Sequence, residues 1–362
     1  MFAGGRLLQR VLGGTRRQEG IDSRGPAEVR RILVVELWNI GDVVLTLPFL
    51  AQLRAKFPNA RVTFLGGAHA EPLLRGTGLV DQFLKTDLGF GAVGLRTGGI
   101  LRLMREMRRL GTELRRMEFD LAFQSRLHFR EQLLLSLSCA KRTFGYALGG
   151  RSLLTDPIAV TDQDRQKADD WMEMLKPFGE MVNIDPPRLA VSSAEAEWAD
   201  VYLAERGIPP EIAPIGIHPG ASKAEKRWPL ERFESVAENL VKRSLPVLAF
   251  AEPSGYGASL GSVGGVALAQ VNLRQMIALV ARCRLLVCND SGPMHIAGAL
   301  GVPSAAVFAA SVSRWFAPLG TGHQIVTGGR GEFAGSKRVG AGVESVATDD
   351  VLRAIGVILA RS

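Results

Sequence analysis

The sequence has little cysteine, and that scarcity already narrows what the protein can be. Cys139, Cys283 and Cys288 are the three cysteines, too few for a disulfide framework and without the paired spacing of a structural zinc site. All three stand in apolar surroundings, as small buried hydrophobes do, and a reducing cytoplasm fits their number. The five histidines show no metal-ligand spacing. No Gly-x-Gly-x-x-Gly follows a strand-like run and no Gly-Lys-Ser/Thr loop occurs, which counts against dinucleotide oxidoreductases and P-loop enzymes. Long unbroken apolar runs are missing as well. Residues 291–313 carry no Asp, Glu, Lys or Arg, yet Gly292, Pro293, Gly298, Gly301 and Pro303 dilute the stretch, and Pro303 divides it into a short helix and a buried strand. The first twenty residues contain no apolar run of secretory length. The expectation is a cytoplasmic protein with no membrane span.

What remains is the composition of a globular protein, 46% hydrophobic and 22% charged, in a chain long enough to build two cores rather than one. The net charge of +8 is unevenly placed: residues 1–31 hold seven arginines against three acids, and residues 96–116 seven against two. Such local excess fits either an anionic partner, membrane phospholipid or nucleic acid, or simply solvated helix faces.

Residues 1–28, rich in Gly and Arg, read as a basic arm. Order is expected to begin at Arg31, where Ile32-Leu33-Val34-Val35 has the continuous β-branched character of a parallel strand covered on both faces. Asn39-Ile40-Gly41-Asp42 turns the chain into a helix over 43–56, and a second buried strand follows at 61–65. Between Ile100 and Met117 the apolar positions Leu103, Met107, Leu110, Leu114 and Met117 recur at helical steps among arginines, making a basic amphipathic helix whose stripe could face lipid or a sheet. Further strands are expected at 119–123, 213–217, 246–250, 285–288 and 304–308, and helices at 130–139, 229–242, 273–283 and 293–300. Strands alternating with helices define an α/β fold with parallel sheets, divided into an arm (1–28), an N-terminal domain (29–185) and a C-terminal domain (186–362).

Open parallel sheets bind ligands beyond the carboxyl ends of their strands, and three polar loops meet that description. In the first, Gly41 allows a tight turn and Asp42 stands at a helix start, either as a cap or as an exposed carboxylate. The second, from His218 through Gly220, Ser222 and Lys226 to Trp228, crowds a hydroxyl and cations beside glycine, as a diphosphate site needs and as solvated lysines also can. In the third, Asn289-Asp290-Ser291-Gly292-Pro293-Met294-His295, proline suits the first helical turn and leaves the amides near Ser291 and Gly292 directed at the loop, with His295 close by.

At these loops the sequence resembles the heptosyltransferases of bacterial lipopolysaccharide synthesis, glycosyltransferase family nine. The resemblance rests on ILVVELWNIGDVVLTLPFLAQLRAKFP, KRTFGYALGGRSLLTDPI, IGIHPGASKAEKRWPLERF and LLVCNDSGPMHIAGALGVPSAAVF, and spans roughly residues 30–320. It implies a GT-B architecture: two facing Rossmann-like domains, the acceptor on the first and the nucleotide sugar mainly on the second. It also implies inverting transfer from ADP-heptose to a lipid-linked or glycan acceptor, without a metal or other cofactor and without nucleic acid. By position Asp42 matches the family's base, Lys226 its donor-phosphate lysine, and Asp290, Ser291, Gly292 and His295 the segment that closes on the diphosphate and sugar. Two departures stand out. Ala309-Ala310-Ser311-Val312-Ser313 replaces a Gly-Pro-Thr/Ser-Asp-like stretch. After Phe250, where the family has a glycine-rich turn, a full helix and another strand, Glu252 opens a short Gly/Ser-rich segment and is itself the expected ribose contact.

Overall fold

The computed structural model describes residues 28–88, 99–146, 153–158, 166–309, 315–328, 332–334, 337–339 and 342–361. The expected basic arm, apart from Glu28, and the departure at 310–313 lie outside them. The chain divides into two compact units, residues 1–187 and 188–362.

In the first unit β1 (Arg31–Glu36), β2 (Arg61–Gly66), β3 (Gln82–Lys85), β4 (Leu121–Phe123), β5 (Arg142–Tyr146) and β6 (Asp156–Ile158) form one sheet in the order β3-β2-β1-β4-β5-β6. All its pairings are parallel, with Leu33 opposite Thr63 on one side and Ala122 on the other. The second unit repeats the plan. There β7 (Ile215–His218), β8 (Val247–Phe250), β9 (Val266–Ala269), β10 (Leu285–Asn289), β11 (Ser304–Phe308) and β12 (Gln324–Thr327) run in the order β12-β11-β10-β7-β8-β9, again parallel throughout. Counted from its own first strand, each sheet has the 3-2-1-4-5-6 order of a Rossmann fold. The central strands are apolar runs because helices cover both faces; Ile32 to Val35 and Leu285 to Cys288 are buried without exception.

The helical expectation over 43–56 resolves into two pieces, α1 (Ile40–Val44) and α2 (Leu47–Lys56). Pro48 is the reason. It has no N–H to continue the ladder and its ring would clash with the carbonyl one turn back, so it sits in the first turn of a new helix instead. Thr46 closes the break, its hydroxyl donating to the carbonyl of Val43 at 2.7 Å. After α3 (Ala70–Leu74), the basic helix α4 spans Gly99–Arg116. Its apolar stripe faces inward: Met107, Leu110 and Leu114 belong to the core with Leu33, Val35 and Leu134, and Leu103 and Met117 pack at its margin. The stripe is therefore not available to lipid. The outer face carries Arg102, Arg105, Arg108, Arg109 and Arg116 and, in its first two turns, the exposed side chains of Leu101 and Met104.

Helices α5 (Phe129–Ser138) and α6 (Lys167–Glu173) complete the first unit, whose last segment returns across the sheet, with Phe178 against Phe57, Phe123 and Phe144. The second unit carries α7 (Ser193–Ala204), α8 (Leu230–Lys242), α9 (Leu273–Val280), α10 (Gly292–Leu300) and α11 (Thr348–Leu359). The Gly/Ser-rich segment after Phe250 departs less from the family than its sequence implies. A 3-10 turn at Ala258–Ser262 stands in for the helix, and the following strand β9 is present. Of the cysteines, Cys283 and Cys288 are buried, whereas Cys139 is only partly so and ends α5 in the left-handed conformation.

The orientation of α4 is testable. Leu110→Ala removes a fully buried side chain and should cost about 2–5 kcal/mol in urea denaturation, while Leu101→Ala should leave the midpoint essentially unchanged. A comparable loss at Leu101 would contradict the inward stripe.

Candidate active site

In a sheet of order 3-2-1-4-5-6 the crossovers leave in opposite directions from the first and fourth strands, opening a crevice at their carboxyl ends. In the first unit that switch point lies between β1 and β4. Strand β1 ends on Glu36, and the chain passes Trp38 to Asn39, which caps α1. Asp42 is the third residue of α1, and one of its oxygens accepts from the Asn39 amide at 3.1 Å. From beyond β4, Arg126 reaches back and donates through Nη2 to the other Asp42 oxygen. Its Nε lies 3.7 Å from Glu36 Oε2, and its guanidinium stands 5.3 Å from the Trp38 ring centroid. Glu36 also accepts from the Trp38 amide at 2.9 Å. Glu131, from the first turn of α5, is buried against the Trp38 indole and the Leu37 amide.

Three buried carboxyl groups thus surround one guanidinium. Burial pushes Glu36 up to about 7, with Arg126 pulling the other way and the charge of Asp42 adding to the rise. Burial and the nearby Glu36 push Glu131 well above the usual carboxylate range. Desolvation penalises the charged form of each, and like charges at close range cannot all ionise.

In the second unit the switch point lies between β7 and β10, and the other two candidate loops emerge there. Lys226 Nζ is 2.6 Å from Asp290 Oδ2. Asn289 ties the loops together: its side-chain oxygen accepts from the Trp228 amide at 3.0 Å and its nitrogen donates to the carbonyl of Pro219 at 2.6 Å. Ser291 caps α10, with Pro293 in the first turn, and its hydroxyl donates to the Asn289 carbonyl at 3.3 Å. His295 is buried one turn further on. Gly220 packs directly beneath the Glu252 carboxylate, where an added Cβ would lie 2.2 Å from Oε1 and displace that side chain. The Glu252 carboxylate lies 3.6 Å from Arg227, which in turn stands 4.5 Å from the Tyr256 ring centroid. Ser222 is exposed on the same loop.

The structure accordingly groups Gly220, Lys226 and Glu252 with Asp290, Ser291 and Gly292 at one sheet's switch point, and places Gly41 and Asp42 at the other sheet's. Sequence reasoning missed Glu36, Arg126 and Glu131, and it placed Asn289 in the third loop without seeing that it ties two loops together. Among the described residues no group of three or more His, Cys, Asp or Glu side chains is arranged to hold a metal ion, and no helix is long and apolar enough to cross a membrane.

Two Rossmann-like units with polar switch points of this kind are the plan of a nucleotide-sugar glycosyltransferase. The profile of Glycosyltransferase family 9 (heptosyltransferase) matches residues 107–339, and the chain belongs to that family. Lipopolysaccharide heptosyltransferase 2 of Salmonella typhimurium is 26% identical over 319 residues, covering 80% of this chain and 85% of that protein. Among solved structures, a family 9 glycosyl transferase from Veillonella parvula superposes with a TM-score of 0.78 at 21% identity, over 95% of this chain and all of the other. The E. coli ADP-heptose lps heptosyltransferase II gives 0.73 at 21% identity, over 92% and 99%.

The start of the second-unit loop carries a pH signature. His218 is buried and its Nδ1 accepts from the Gly220 amide at 3.2 Å, and burial pushes its imidazole down to about 4. Between pH 6.5 and 4 the unfolded chain binds this proton and the folded chain does not, so stability is full above the unfolded value and is lost as pH falls through that window. The loss attributable to His218 should be on the order of 3 kcal/mol. His218→Gln should show a correspondingly shallower fall in denaturation free energy, and equal slopes would remove His218 as the cause.

Proposed function

We propose that this enzyme transfers heptose from ADP-heptose to a lipopolysaccharide-core acceptor, inverting the anomeric centre, with Asp42 as the base. The observation that carries this reading is the pairing of two equivalent sheet positions with complementary chemistry. One switch point holds a largely buried carboxylate, and the other holds Lys226, Asp290 and the N-terminus of α10. Similarity to Lipopolysaccharide heptosyltransferase 2 and to the E. coli ADP-heptose lps heptosyltransferase II supports the choice of donor and acceptor.

The chemistry follows from these groups. The acceptor hydroxyl attacks the anomeric carbon from the face opposite the diphosphate, and the bond from that carbon to the phosphate oxygen breaks. The electron pair leaves with ADP, and the hydroxyl proton passes to Asp42, since an alcohol far above neutral pKa needs a base within hydrogen-bond reach. The charge gathering on the diphosphate is met by Lys226 and by the amides at Ser291 and Gly292, oriented in advance at a helix N-terminus. Asp290 holds Lys226 until the diphosphate takes its place as partner. Ser222 and His295 complete the donor side, and Glu252, lodged against Gly220, receives the ribose. No step requires a metal or other cofactor.

Transfer to a lipopolysaccharide inner-core acceptor, assayed with ADP-heptose in excess chelator, should proceed in the wild type. Asp42→Asn should retain the fold and donor affinity while turnover falls at least about a hundredfold. Full turnover in that variant would falsify the assignment of the base. A second reading, the same transfer with another nucleotide sugar, is favoured by the 3-10 turn that replaces the helix near Glu252. A panel of ADP-, GDP-, UDP- and CMP-sugars separates the two by which donor is consumed.

The reading also places the enzyme at the cytoplasmic face of an anionic membrane, where a lipid-linked acceptor is found. The outer face of α4 supports this, with exposed Leu101 and Met104 beside Arg102, Arg105 and Arg108, each arginine near such a surface contributing roughly 1 kcal/mol. Binding to phosphatidylglycerol vesicles should exceed binding to phosphatidylcholine vesicles and weaken with salt. Equal partition to both, or no change when Arg102, Arg105 and Arg108 are neutralised, would leave those arginines as a solvated face.

A further inference from the structure

The first unit contains more buried charge than a base alone requires. Asp42 has both oxygens occupied by N–H donors, the Asn39 amide on one and Arg126 on the other. Arg126 in turn is gripped from several elements: Glu36 at the end of β1, Asp42 on α1, Glu131 on α5, and Asp170 on α6 all act on it. Asp170 has its own cation, Lys167, at 3.0 Å, and Tyr146 donates to Asp170 at 3.3 Å. His128 and Arg130 stand at the start of α5, with the His128 ring 6.0 Å from that of Trp38. Three carboxyl groups, on Glu36, Asp42 and Glu131, are thus left to one guanidinium.

We propose that Arg126 is a positioning residue for Asp42, and that Glu36, sharing the same guanidinium, sets how firmly Asp42 is held. This rests on the reading of Asp42 as the base. The guanidinium is wide enough to touch Asp42 through Nη2 while its Nε faces Glu36, so the two carboxylates compete for one cation from different edges. Held between the Asn39 amide and Arg126, the Asp42 carboxylate has one orientation, which is what proton abstraction from a fixed acceptor requires. Once Asp42 takes the proton, its hold on the guanidinium weakens, and Arg126 has Glu36 as its alternative counterion. The buried cation therefore keeps a partner in both states of the base.

The test combines turnover of the full-length enzyme across pH with carboxyl ¹³C NMR titration of the same proteins without substrates. In Arg126→Gln, the loss of the cation that Glu36, Asp42 and Glu131 share should move the acidic limb of the kcat profile to higher pH by about one unit or more. It should also lower kcat about tenfold to a hundredfold with little change in donor KM. Glu36→Gln removes a competitor, and the acidic limb should move the opposite way. Arg126→Lys, which keeps the charge without the fork, should recover part of the shift but less of the kcat. Where Arg126→Gln does not fold, Arg126→Gln with Glu36→Gln removes cation and anion together; its acidic limb should lie above that of Glu36→Gln alone. Limbs that do not move, that move the same way in both single variants, or that coincide in Glu36→Gln and the double variant overturn the proposal. Should ADP-heptose support no transfer even in the wild type, the donor assignment fails, while the Asp42 carboxyl resonance, identified by its loss in Asp42→Asn, still decides the present question. Its titration should shift to higher pH in the variant lacking Arg126, and an unchanged titration overturns the positioning role.

Discussion

A parallel strand buried on both faces can exchange its chain for the next strand only through a crossover, and that constraint organises everything else in this molecule. It requires long apolar runs in the sheets and polar loops at their carboxyl ends. It also makes the first and fourth strands of each sheet send their crossovers in opposite directions. Both units obey the same strand order, so each has a single crevice at a defined place. Most of the residues of chemical interest gather there, at the carboxyl ends of the strands that flank the crevice.

The two crevices manage charge differently. In the second unit cation and anion are matched one to one, Lys226 with Asp290 and Arg227 with Glu252. Each partner remains available for exchange when an anionic ligand arrives. In the first unit carboxyl groups outnumber cations, and the deepest of them, Glu36 and Glu131, respond to burial by holding their protons more tightly. Water is too scarce there to screen the excess, and protonation relieves it instead.

Much of this was legible in the sequence because it follows from periodicity. The unbroken runs at Ile32 to Val35, Leu285 to Cys288 and Ser304 to Phe308, short and bounded by turn signals, read as sheet interiors, and the loops that hold Gly41-Asp42 and Asp290-Ser291-Gly292 come after two of them. Other features depend on tertiary neighbours and left weaker traces. Glu36 directly follows the run Ile32 to Val35, and Glu131 lies in the expected helix over 130–139, with no local pattern to single out either. Only the fold shows that α5 turns Glu131 inward. Arg126 stands three residues beyond β4 with nothing local to mark it, although a lone cation just past an apolar strand was the available signal. The division between α1 and α2, which the expectation of one helix over 43–56 overlooked, has its local signal in Pro48. Strand β9 was hidden because Val-Ala-Leu-Ala is short, and it lies half-buried at the sheet edge, where little periodicity can develop.

The amide of Asn289 touches the two ends of the loop that carries Lys226, the carbonyl of Pro219 at one end and the amide of Trp228 at the other. One side chain thus acts as the clasp of a ring. The segment from 219 to 228 is drawn together at its two ends, and Asn289 is itself the last residue of a central strand. The two ends of this loop are thereby held to the carboxyl end of β10. The ends of the loop are thus ordered as part of the fold itself.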